Sequence, residues 1–111
     1  MTVRLMVAEA AADMRGGDLQ PADLRVLLGR LTGLLGSCNE EIRHADAVYA
    51  AVLLKLLDEN EAANRARIRA QTTPEYQRVR EARDTKEACV EMLRAIKYQL
   101  KSVDEEMRLS R

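Results

Sequence analysis

Residues 41–44 read Glu41-Ile42-Arg43-His44, a Glu-x-x-His string on a helical stretch. Carboxylate-bridged di-metal bundles use two such strings plus two further glutamates, because oxygen and imidazole ligands three residues apart can share one cation. His44 is the one histidine of the chain, so a second copy would have to bring the other, with Glu40 and Glu105 as the extra glutamates. The helical wheel opposes this. With Ile42 on the buried seam, Glu41 lies about 100° to one side and His44 about 160° away. His44 therefore faces outward, and no metal and no cofactor are expected. Nucleophilic catalysis lacks a partnered base, since an outward His44 forms no Cys–His or Ser–His pair. The glycines are three or four residues apart inside a helical pattern, which builds no phosphate loop. Cys38 and Cys89 are too far apart in sequence for a zinc knuckle. The chain reads as a non-enzyme.

A second set of residues points to phosphate. Residues 64–84 carry Arg65, Arg67, Arg69, Arg78, Arg80 and Arg83 against Glu75, Glu81 and Asp84, a net charge of +3, while residues 37–63 carry six acids and two bases, a net charge of −4. An arginine cluster with Tyr76 in its midst suits a single strand of nucleic acid, with Arg65, Arg67, Arg69, Arg78 and Arg80 on phosphates and Tyr76 stacked on a base. The alternative is that the arginines complement the negative end of the preceding helix and pair with nearby acids.

The whole chain constrains both readings. It has 111 residues, enough for one domain, and its 18 Lys and Arg balance 18 Asp and Glu. Zero net charge excludes a wholesale cationic nucleic-acid binder. With no Trp, no Phe and three Tyr, the core must be aliphatic, which suits helices better than a β-sandwich. Tyr49 and Tyr98 read as seam aromatics. Glu9 and Asp13 interrupt the N-terminal apolar run too early for a secretory leader. No stretch approaches the roughly 18 uncharged apolar residues of a membrane span. Two cysteines in an Arg- and Glu-rich chain suit a reducing cytoplasm.

Three helices are expected. Val3, Val7, Ala10 and Met14 form a helical stripe over about residues 3–15, ended by Gly16-Gly17-Asp18. A second helix opens at Pro21, with Leu19 and Leu24 as a hydrophobic staple and Asp23 at the positive end. Its seam runs Leu24, Leu28, Leu31, Leu35, Cys38, Ile42, Ala45, Tyr49, Val52, Leu56, then Ala63, Ala66 and Ala70, predicting a helix over about 21–70. Gly36, before a Ser37–Glu40 capping box, offers one place for a break. Gly29 and Gly33, one turn apart, fit either a close helix approach or simple tolerance. Thr72-Thr73-Pro74-Glu75 starts a third helix, to about 109, with Thr72 and Glu75 as a capping box. Its stripe is Ala82, Lys86, Cys89, Leu93, Ile96, Leu100, Val103 and Met107.

A short turn at 71–74 folds the long helices into an all-α, coiled-coil-like antiparallel hairpin in which facing residue numbers sum to about 145. Met107 then lies near Cys38 and Cys89 near Leu56, with the two cysteines roughly 27 Å apart along the axis, which excludes an intrachain disulfide. Residues 24–35 project past the hairpin; the first helix can cover part of them, and Leu24, Leu28, Leu31 and Leu35 are expected to build an oligomer. Residues 45–57 carry only two charges, Asp46 and Lys55. Ala47, Ala51 and Leu54 lie opposite the seam, so this stretch needs cover on more than one side. Self-association into a dimer or larger bundle answers both needs.

Residues 72–111, with the Thr-Pro-Glu-Tyr cap, a long amphipathic helix and a Leu-Ser-Arg ending, resemble small helical proteins encoded by bacteriophages and prophages. The resemblance implies an accessory protein that binds a protein partner, in recombination or in countering host defence. It also implies the cytoplasm of a bacterial host cell, and it carries over no catalytic residue.

Overall fold

The computed structural model describes residues 2–59 and 62–110. Residues 60 and 61, through which the second helix was expected to continue, and Arg111 of the C-terminal ending lie outside the described residues. Among the described residues the elements are α1 (Val3–Arg15), α2 (Pro21–Asp58), α3 (Ala63–Ala70) and α4 (Pro74–Leu109). No described residue is in a strand.

Each start follows from local chemistry. Thr2 caps α1, its side chain accepting from the Leu5 N–H at 3.2 Å. Pro21 opens α2 without losing a needed donor, and the Asp23 carboxylate accepts from the Gln20 N–H at 3.0 Å. Thr73, not Thr72, caps α4 by accepting from the Tyr76 N–H at 3.4 Å. The Thr72 hydroxyl instead donates back to the Arg69 carbonyl at 2.7 Å. Between α1 and α2 the chain reverses through Gly17, whose φ of +146° suits glycine alone.

The long helix ends earlier than its stripe suggests. α2 stops at Asp58, and α3 begins only after Ala62 in extended conformation. Two causes combine. Asp58 and Glu59 put negative charge at the negative end of a helix. Past Leu56 the stripe offers only alanines, whose burial holds little apolar area. α3 is a separate short helix that buries Ala66 and Ala70 and packs on α2. Gly36, by contrast, lies within unbroken α2.

Moving the turn moves the register. α2 and α4 form the antiparallel hairpin, with Cys38 beside Cys89, Asp46 paired with Arg83, and Tyr49 against Tyr76. Facing residue numbers thus sum to about 127, some 18 fewer than a turn at 71–74 requires. Three expectations change with it. The cysteines meet instead of lying far apart, so the geometric exclusion of a disulfide does not hold. Glu105 is at the far end of the bundle from Glu40. And α4 reaches back along residues 24–35, which do not project.

α1 completes the cover. It packs on α2 and α4, and Val7 and Ala10 join Leu24, Leu27, Leu31, Leu34, Cys38, Cys89, Leu93 and Ile96 in one core. Leu28 and Leu35 are half-buried against that core. Leu24 and Leu31 are therefore core residues of the single chain, and for these two intrachain packing replaces the expected oligomer role. Ion pairs among the described residues tie the helices together across the surface: Arg30 with Asp13 at 2.8 Å and Glu9 at 3.8 Å, Arg4 with Glu81 at 3.5 Å and Arg83 with Asp46 at 3.2 Å. Gly29 and Gly33 face open space, as does Gly36, so no helix approaches them closely. The molecule measures 72 × 26 × 19 Å. Among the described residues α1, α2 and α4 pack around Leu24–Cys38, while α3 and the start of α4 lie beside the C-terminal part of α2.

Candidate functional site

The C-terminal part of α2 carries an uncovered apolar face. Ala47, Ala50 and Ala51 are exposed there, Leu54 is 60% exposed and Leu57 39%. Taking buried Ala45 as the inward direction, these five residues lie within about 60° of the outward one. Arg43 bounds the face at one end and Asp58 at the other, both exposed. Of the seven residues expected to form an oligomer interface, Ala47, Ala51 and Leu54 thus remain on the surface together. Ile68 of α3 is a further exposed apolar side chain, at 65%.

The basic residues do not converge as a single tip. Arg65, Arg67 and Arg69 are exposed on α3, with Arg65 and Arg69 to one side of the buried Ala66–Ala70 stripe and Arg67 to the other. Arg78 and Arg80 flank buried Val79 and point about 160° apart. Arg78 lines a cavity between helices, and Arg83 is held by Asp46. Tyr76 is half-buried, its ring 5.3 Å from that of Tyr49 at 45° between planes. That aromatic contact occupies the ring expected to stack on a base. Tyr98, expected on the seam, is instead 73% exposed.

Sequence reasoning missed the cavity. It holds about 590 Å³ between the start of α1, the middle of α2 and the start of α4. Ala8, Ala45 and Ala82 line it, and their small side chains leave the gap where three helices meet. Glu41 and His44 both border it. Both are exposed, His44 as the wheel expects. Ala45 and Ala82, on the stripes of α2 and α4, were the available signal. No group of three metal-ligating side chains forms among the described residues.

Cys38 and Cys89 sit side by side in the core, and the Cys89 thiol donates to the Leu31 carbonyl at 3.4 Å. Burial pushes the Cys38 thiol above its ordinary value. Burial, then the neighbouring Cys38, raises Cys89 to about 11. Both are neutral at physiological pH and serve as small apolar packing groups. No described helix is long and apolar enough to cross a membrane. The chain matches no protein-family model, no curated protein and no solved structure.

Proposed function

We propose that this chain is a non-enzymatic helical interaction protein that self-associates through the outer face of α2 and presents the rest of its surface to a protein partner. One observation carries the reading. Ala47, Ala50, Ala51, Leu54 and Leu57 form a continuous exposed apolar face on a helix whose other side is already packed. Isolated exposed apolar residues are ordinary, but a face of this kind bounded by charge is typical of a contact surface. The accessory role, in a phage-encoded setting within the bacterial cytoplasm, rests on the C-terminal resemblance and on the two free thiols. Three of the five apolar residues are alanines, so the contact is smaller than a standard interface of about 800 Å² per partner and should dissociate in the micromolar range. Sedimentation over a dilution series tests this, with mass rising toward a dimer as concentration increases.

A second reading has its own observation, the exposed arginines of α3. An accessory that touches single-stranded nucleic acid through Arg65, Arg67 and Arg69 would bind weakly. With about two or three phosphates engaged, log affinity should fall with log salt at a slope near −2. Titrating a labelled oligonucleotide across a salt series checks it. Absence of binding at low salt, or binding unchanged in an Arg65→Ala/Arg67→Ala variant, removes this reading.

A further inference from the structure

The α2 face also specifies how its second copy would sit. We infer that two copies pair antiparallel, α2 against α2, about a two-fold axis between Ala50 and Ala51. This rests on the self-association proposed above and adds its direction and register.

The face is charge-complementary to itself around an apolar centre. With the axis at that point, Ala50 meets Ala51 of the second copy, Ala47 meets its Leu54, and Arg43 meets its Asp58, all twice over by symmetry. Leu54 falls opposite Ala47 and Leu57 opposite His44, and the alanine centre lets the backbones approach closely, since interaxial distance is set by the side chains at the contact. The charged ends then pair base with acid, with Glu59 adding negative charge beside Asp58. A parallel, in-register pair does the opposite. It stacks Arg43 on Arg43 and Asp58 on Asp58, and like charges held together at an interface are unfavourable. Arg43 is available for the exchange, because its present pair with Glu40 is 3.4 Å long and both side chains are about three-quarters exposed. Such surface pairs contribute little to stability. The self-matching arrangement is the isologous contact of a closed dimer.

Site-directed cross-linking and charge reversal test the pairing in the full chain. Under mild oxidation Ala51→Cys should form a covalent dimer, since two copies of residue 51 lie one residue apart across the axis. Arg43→Cys alone should not, its two copies being about 22 Å apart at 1.5 Å per residue. A mixture of Arg43→Cys and Asp58→Cys chains should cross-link to each other. The wild-type chain, whose thiols are buried, is the background. Arg43→Glu should weaken association about tenfold, and Arg43→Glu/Asp58→Arg should restore it to within about threefold. Self-cross-linking of Arg43→Cys, or no rescue by the double reversal in a chain that still dimerises, overturns the antiparallel register and leaves self-association standing. A chain that stays monomeric overturns both.

Discussion

The two thiols are buried where α2 meets α4, and their ionisation is the clearest residue-scale handle on stability. With Cys38 raised and Cys89 raised to about 11, the folded state favours neutral sulfur. The contribution is fully present below the ordinary thiol value of 9.0. As pH climbs from there toward about 11 the unfolded chain releases protons that the folded chain keeps, so stability falls across that window. Urea midpoints at pH 8 and pH 10 should show the drop, and Cys89→Ala should flatten it. A neutral alkylating agent at pH 8 should label neither thiol in the native chain and both in urea. Rapid native labelling would contradict the burial. That the cysteines are apolar packing groups was legible from their place on the two stripes. That they touch was not, because their separation depends on where the chain turns, and residues 56–73 left that undetermined.

At the scale of elements, the glycines inside α2 are the informative positions. Gly29, Gly33 and Gly36 are helical, and a Cβ at each meets nothing within 4 Å. Alanine there should therefore stabilise by about 0.5–1 kcal/mol per site through reduced backbone entropy of the unfolded chain. Thermal melts of the single and triple variants check the sign, and destabilisation would mean that these positions make a close contact. The stripe from Leu24 to Leu56 marked a continuous helix correctly across all three glycines, because period and phase persisted. It overran Asp58 because alanines on a stripe hold phase without supplying packing, so Ala63, Ala66 and Ala70 fit the pattern equally well as a separate helix. That one boundary displaced the facing register, and with it the predicted environment of every residue on α4.

At the scale of the whole molecule, α1, α2 and α4 close a core around residues 24–38, while the outer face of α2 from Ala47 to Leu57 is left open. The sequence signalled an excess of apolar surface but assigned it to two places. In one of them, the Leu24–Leu35 row, Leu24 and Leu31 are consumed by the chain's own core. Leu31, fully buried, separates these roles. Leu31→Ala should lower chain stability by about 2–5 kcal/mol in chemical denaturation, without changing the mass of whatever fraction remains folded. A change in oligomeric state at unchanged monomer stability would return the row to an interface. The candidate site was legible in part. Ala47, Ala51 and Leu54 were found by their position opposite the seam, whereas the arginines scattered because α3 became a helix of its own.

Sedimentation of the wild-type chain beside Leu54→Glu bears most directly on self-association through α2. Leu54 is exposed, so the glutamate should leave helicity and melting temperature unchanged while placing a charge within the contact. The wild type should pass from monomer to dimer over micromolar concentrations and the variant should remain a monomer. A wild-type chain that is monomeric at hundreds of micromolar, or a Leu54→Glu chain that associates equally well, would contradict the account.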